Sequence, residues 1–184
     1  TGLVLNDLGI LLRDLSRFEE AEALLREALD IRQRYPDAGS KDIATTLQNL
    51  AALADSRGRF AEAESLYRQV LDLTQAMPGR PNPESLMPLN NLALELGRLG
   101  KPEDAEETLR EALALAQQLY GPEHAHVARQ LHNLAEALRN QEKLAEAEPL
   151  HLAALEMRRK LLGDEHPSIA ASLNNIGSLL QQRG

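Results

Sequence analysis

Cysteine and tryptophan are absent from this chain of 184 residues, and aromatic residues make up only 3% of it. Without cysteine, neither a disulfide framework nor a thiolate-ligated metal centre can form. With so few large aromatics the core has to be assembled from Leu and Ala, which suits closely packed helices. No stretch approaches the roughly 18 consecutive apolar residues of a membrane span, and no charged-then-apolar leader precedes the first helical pattern. A cytoplasmic protein without a membrane partner is expected. A Gly-rich phosphate loop and a His-Glu-x-x-His pattern are also missing, as is a basic stripe interleaved with aromatics. No cofactor, no metal and no nucleic-acid partner are therefore expected.

What is present is repetition. Leu5-Asn6-Asp7-Leu8-Gly9 returns as Leu47-Gln48-Asn49-Leu50-Ala51, Leu89-Asn90-Asn91-Leu92-Ala93, Leu131-His132-Asn133-Leu134-Ala135 and Leu173-Asn174-Asn175-Ile176-Gly177, always 42 residues on. Stacking of one supersecondary unit, each burying its apolar face against its neighbours, makes a solenoid. The units are expected at 1–39, 40–81, 82–123 and 124–165, with a partial one at 166–184, in a single array.

Apolar spacing divides each unit into two helices. In the first, Leu47, Leu50, Ala51 and Ala54 recur at i, i+3, i+4 and i+7, as do Leu89, Leu92, Ala93 and Leu96. In the second, Ala21, Leu25, Ala28 and Leu29 correspond to Ala63, Tyr67, Val70 and Leu71, then to Ala105, Leu109, Ala112 and Leu113. A small Ala at the head of each second helix lets two backbones approach closely, and a larger residue four positions on fills the gap between pairs. His151 takes that larger residue's place once and is read as a packed histidine.

Punctuation follows the same register. First helices are expected to open after Ser40, Asn82, His124 and His166, with Pro83 and Pro167 at the first helical position. Short turns run from Asp14 to Phe18, Ser56 to Phe60, Arg98 to Pro102 and Asn140 to Leu144, followed by negative charge at Glu19, Glu20, Glu103 and Asp104. Met77 to Pro83 is the least helical stretch and is read as a bend. Pro88 and Pro149 fall inside the helical pattern and should each kink or delay a helix. Thr1 lies within a first helix, and Gly184 stops where a second helix should begin. The pattern is that of a fragment, with self-association expected through the open repeat ends.

The Leu, Leu, Gly/Ala, Leu pattern of the first helix and the Ala, large residue, Ala pattern of the second resemble the tetratricopeptide repeat, whose ordinary unit is about 34 residues. The longer period, with Leu-Asn-Asn-Leu-Ala, Glu146-Ala147-Glu148-Pro149-Leu150 and Leu162-Gly163-Asp164-Glu165-His166-Pro167, resembles the repeats of kinesin light chains. The resemblance implies an all-α, right-handed superhelical solenoid of antiparallel helix pairs, about nine helices in all. It also implies that the first helices line a concave groove that receives a protein or peptide segment.

Two positions flank the core stripe on that face. One carries Asn6, Gln48, Asn90, His132 and Asn174, and the next carries Asp7, Asn49, Asn91, Asn133 and Asn175. Asparagine is a poor helix former because its side chain competes for backbone groups, so its periodic return needs a reason. One reason is that each amide offers a donor and an acceptor to the backbone of an extended peptide. The resemblance favours this, since peptide-binding arrays of the family use an asparagine ladder at the position matched by Asn49, Asn91, Asn133 and Asn175. The other is that the amides bond to the neighbouring repeat and stitch the array together.

Charge separates the two faces. The second helices hold 16 acidic and 8 basic residues, which accounts for the whole formal charge of −8. That acidity is read as solvation of the outer surface. On the inner face Arg98, Arg129 and Arg139, with His132 and opposed by Glu136, make a basic half where an acidic or C-terminal peptide segment can anchor through arginine forks. Catalysis is not expected, because His126 and His132 lie six apart on different sides of a helix and His124 matches His166 in register. A structural spacer or oligomerisation element without peptide binding is the alternative to an interaction module of a larger signalling or scaffold protein.

Overall fold

The computed structural model describes residues 1–35, 39–79 and 81–183. Arg80, within the expected bend, and Gly184, the expected stop, lie outside the described residues, as do residues 36–38. Among the described residues there are nine α-helices and no strand. The chain forms two compact units, Thr1–Leu99 and Gly100–Gly184.

The first unit contains α1 (Gly2–Asp14), α2 (Phe18–Arg34), α3 (Ser40–Ser56), α4 (Phe60–Ala76), a 3-10 turn at Pro83–Ser85 and α5 (Leu86–Arg98). α1 packs on α2 and α3 on α4 as tight pairs, and α2 meets α3 as α4 meets α5. Leu12, Ala21, Leu25, Leu50 and Leu53 form one buried cluster, and Ala44, Leu47 and Val70 another. The close approach expected at the head of the second helices is present, with Ala21 and Ala63 fully buried. Gly9 marks the tightest point, because a Cβ there would lie 2.7 Å from Cγ of Leu25.

The second unit contains α6 (Pro102–Tyr120), α7 (Ala125–Asn140), α8 (Leu144–Leu162) and α9 (Pro167–Arg183). Each helix packs on the next, α7 against α8 most extensively. Ala105, Ala112 and Ala147 sit between helices with Val127, Leu134, Leu138 and Leu179.

The three-residue turns fall where expected and share one backbone solution. Arg17, Arg59 and Lys143 donate N–H to the carbonyls of Leu12, Ala54 and Leu138 at 2.8, 2.8 and 3.0 Å. The residue before each donor is left-handed: Ser16 at φ 59°, Gly58 at φ 71° and Glu142 at φ 61°. Gly58 takes this conformation freely, whereas Ser16 and Glu142 carry a Cβ into it at a cost.

Three features differ in detail from the expectation. α3 is capped by Gly39 and not by Ser40, since the Gly39 carbonyl accepts from Asp42 and Ile43 N–H. Pro88 does delay its helix: the 3-10 turn runs first, and Pro88 becomes the third residue of α5, where an amide has no acceptor within the helix. Pro149 does not delay α8, which starts directly after Lys143 and continues through the proline. Ala145, whose carbonyl loses its partner, is exposed to water.

The acidic second helices do more than face solvent. Glu22 accepts from Arg26 at 2.8 Å, and from Arg57 and Arg59 of the next turn at 2.8 and 2.9 Å. One register on, twice over, Glu106 pairs with Arg110 and accepts from Gln141 at 2.9 Å and Lys143 at 2.7 Å. Glu148 pairs with Arg183 at 2.5 Å. Each glutamate thus ties its helix pair to the element that follows. Burial pushes Glu22 and Glu106 toward the neutral form, but their donors outweigh it and hold both carboxyls below the usual range.

Candidate functional site

In the first unit several first-helix amides bond within the protein. Asn6 is buried, and its carboxamide oxygen accepts from Asn49 Nδ2 at 2.9 Å, joining α1 to α3. Asn90 Nδ2 donates to the Leu86 carbonyl of its own helix at 2.6 Å. Asn91 Nδ2 donates to the Tyr67 hydroxyl at 3.2 Å, joining α5 to α4. Gln48 is half-buried. Arg98 is held by an ion pair with Asp55, lies 3.4 Å from Glu95 Oε1 and stacks 5.1 Å over the Phe60 ring. Glu95 is itself buried, which pushes its carboxyl above the usual range.

A pocket of about 270 Å³ in the same unit is lined by Gly2, Leu3, Ile31, Arg32, Tyr35 and Asp42. Arg32 donates to the Asp42 carbonyl at 2.7 Å and also bonds Thr46 Oγ1. Formal charge at this mouth is balanced, one guanidinium against one carboxylate.

The second unit repeats that pocket three periods on, with different chemistry. It has a volume of about 320 Å³ and is lined by Arg129, His132, Arg158, His166, Ser168 and Asn175 together with the exposed apolar residues Ala125, Leu161, Leu162 and Ala171. Arg158 stands where Arg32 does and donates to Ser172 Oγ at 2.5 Å, as Arg32 bonds Thr46. Arg129 replaces Leu3, Leu161 replaces Tyr35 and Ser168 replaces Asp42. The result is a mouth with two guanidinium groups and no carboxylate among its lining residues.

The expected site residues are distributed accordingly. Arg129, His132 and Asn175 come together here, and Arg129 also approaches His126 Nδ1 at 3.1 Å. Asn174 is exposed and Asn133 half-buried. Arg139 is turned to Glu136, with Nη2 2.6 Å from Oε2. Arg98 has its named partners, Asp55, Glu95 and Phe60, within the other unit. Burial first, then the positive field of Arg158, pushes His132 below the usual imidazole value; burial and Arg129 do the same to His126. Both rings are neutral at pH 7.

Two groups of residues were not legible as a site in the sequence. Arg158, His166 and Ser168 enter the pocket from α8 and the start of α9, where only the register of Arg32 and Asp42 could have signalled them. His151, read as a packed histidine, is indeed 2% exposed, yet its Nε2 lies 3.2 Å from Glu136 Oε1 and its ring 5.5 Å from that of His132. His124 serves as a cap, its Nδ1 accepting the His126 N–H at 3.1 Å, while both rings stack on Tyr120.

These features define an all-helical repeat array of the kind that binds other proteins. The chain belongs to the tetratricopeptide repeat family, whose models match residues 1–76 and 84–139, and again 127–168. In fold its repeats are similar to kinesin light chain-like tetratricopeptide arrays. Among solved structures, BtubC (BKLC) from P. vanneervenii is 28% identical with a TM-score of 0.86, over 96% of this chain and 70% of that one. The nearly identical TPR-like repeats of a Podosopora anserina protein described as a kinesin light chain share the fold at 23% identity. Their TM-score is 0.83 over 98% of this chain and 86% of that one. A single-site variant of the same repeats gives 0.84 over 98% and 85%. No curated protein matches the chain significantly. Tetratricopeptide repeats are protein–protein interaction modules and not catalytic folds. Among the described residues no helix is long and apolar enough to cross a membrane.

Proposed function

We propose that this chain, built from the 42-residue units read in its sequence, binds an extended acidic or C-terminal peptide segment of a partner protein along its first helices, within a cytoplasmic signalling or scaffold protein. The observation that carries the reading is the pocket of the second unit, where Arg129 and Arg158 face one opening with His132 and Asn175 and no carboxylate lines it. Guanidinium forks recognise a carboxylate in two-point fashion, and the exposed apolar surface of Leu161, Leu162 and Ala171 accepts an aliphatic side chain beside it. The groove has few aromatic anchors, so backbone hydrogen bonds and this one charged contact carry the affinity. Each neutral bond contributes about 0.5–1.5 kcal/mol, and the ordering of the peptide offsets much of the sum, which places Kd in the roughly micromolar range.

The first unit favours a different role for its amides. Asn49 and Asn91 bond to Asn6 and Tyr67 across helices, which supports stitching of neighbouring repeats there. Asn91→Ala should then lower the melting temperature without changing peptide affinity, while Asn175→Ala should do the reverse.

The test is to pan a displayed random-peptide library against the chain in the presence of a chelator, counter-selecting with Arg129→Leu. The expected result is one extended motif carrying Asp, Glu or a free C-terminus that the variant fails to retain. No enrichment, or a motif the variant binds equally, would overturn the reading in favour of a structural spacer.

A further inference from the structure

One repeat differs from the others at three places that meet in space. Glu136 occupies the register of Ile10, Ala52 and Leu94, an apolar position that is partly exposed, and His151 that of Leu25, Tyr67 and Leu109, which are buried, so two positions that are uncharged in the earlier repeats carry ligating groups in the same repeat. The third, His132, stands four residues before Glu136, which puts both on one face of α7. His151 reaches them from α8. A carboxylate at the edge of the helix interface and an imidazole within its buried layer, introduced together where the earlier repeats carry uncharged side chains, need a common reason.

We propose that His132, Glu136 and His151 form a binding site for a divalent cation of the zinc class. One potential ligand atom from each residue lies within 4.8 Å of the other two. His151 Nε2 and Glu136 Oε1 are 3.2 Å apart. Metal–ligand bonds of about 2.0–2.1 Å in a tetrahedron require ligand atoms about 3.3 Å apart, so this pair already spans one edge. A hydrogen bond from His151 is the competing explanation, and with Arg139 that contact holds the Glu136 carboxyl well below the usual range; by geometry, however, neither facing atom has a well-formed hydrogen-bond partner. In the tautomer that leaves His151 Nε2 without a proton, two lone pairs converge on one point, the arrangement a cation resolves.

The surroundings fit that role. Arg139 occupies Glu136 Oε2 at 2.6 Å and leaves Oε1 turned inward, as outer-shell groups do for ligating carboxylates. Two imidazoles and one carboxylate suit a borderline cation better than calcium or magnesium, which take oxygen ligands. Three protein ligands leave a fourth position open to water or another donor. Arg139 beside Glu136 and Arg158 beside His132 oppose a second positive charge, so binding is weaker than in a closed four-ligand structural site. The proposal does not depend on peptide binding.

The test uses the whole chain, stripped with chelator and titrated with Co²⁺ and then Zn²⁺. One equivalent of Co²⁺ should develop visible bands of low-symmetry coordination, which Zn²⁺ bleaches, and Zn²⁺ should raise the melting temperature to a plateau. His151→Leu installs the residue that two other repeats carry at that register and should weaken binding by about 100-fold or more while circular dichroism stays helical. His132→Asn, matching Asn90, gives the same test should the leucine variant fail to fold. His124→Asn, matching Asn82, should bind as the parent does. Absence of cobalt bands and of any zinc shift in the parent overturns the proposal. So does binding that survives both triad variants, or that disappears with His124.

Discussion

The pocket at Arg32 and the pocket at Arg158 are the same pocket in register, built from first and second helices three periods apart, yet their chemistry differs. At the first, Arg32 faces Asp42 with Leu3 and Tyr35 nearby; at the second, Arg158 faces Ser168 with Arg129 and Leu161. The retained arginine bonds a hydroxyl in both, Thr46 in one and Ser172 in the other, so its job in holding helices together is common. What separates them is the charge of two neighbours. A repeat dictates where side chains point, and single substitutions at the rim decide whether a cationic group is balanced internally or left to an outside anion.

The strongest way to break this comparison is to exchange the rims. Arg129→Leu with Ser168→Asp gives the second pocket the charge of the first, and binding of an acidic peptide, followed by fluorescence anisotropy, should fall by about 100-fold, or about 2.7 kcal/mol. A loss of less than threefold would mean that the rim charges do not select the ligand.

A second prediction concerns the glutamates that join successive elements. Glu106→Ala should destabilise the chain by about 2 kcal/mol, since it removes a nearly buried acceptor and leaves Lys143, Gln141 and Arg110 without it. Both Glu22 and Glu106 have folded-state values held below the unfolded one. Their contribution is therefore complete above the unfolded carboxylate value and is lost as pH falls through the depressed folded values. Urea denaturation from pH 7 downward should show the parent losing stability on acidification more steeply than Glu106→Ala. Parallel curves would assign the acid dependence to other groups.

The smallest effect lies in the turns. Gly58 fills the left-handed position in one turn, while Ser16 and Glu142 fill it in others. Ser16→Gly in the first unit and Glu142→Gly in the second should each stabilise by about 0.5–1 kcal/mol, seen as a rise in melting temperature. Equal melting temperatures would show that local hydrogen bonding already offsets the strain.

Most of the architecture was legible because it rests on local and periodic signals. The ends of the helices flanking the three-residue turns at Asp14, Ser56, Arg98 and Asn140 follow from apolar spacing and charge, and the caps at Asn82 and His124 follow from side chains that accept an N–H two residues on. Less of the site was legible. That Asn49 reaches Asn6 and that Asn91 reaches Tyr67 depends on how one helix pair is offset against the next, a distance set by packing. His151 looked like a core substitution because its partners are fifteen or more residues earlier, on another helix.

The sequence by itself determined the repeat, its period, the two helices of each unit and the turns between them, since hydrophobic spacing of 3.6 and helix-terminating residues act over a few neighbours. Tertiary structure alone decided which polar groups satisfy each other and which converge on a common opening. Arg98 and Arg129 read alike as exposed first-helix arginines, but one is held by Asp55 and Phe60 and the other borders a pocket with Arg158. The physical reason is that pairing energy depends on separations of a few ångströms between helices, and the sequence pattern specifies a helix face without specifying what the neighbouring helix brings to it.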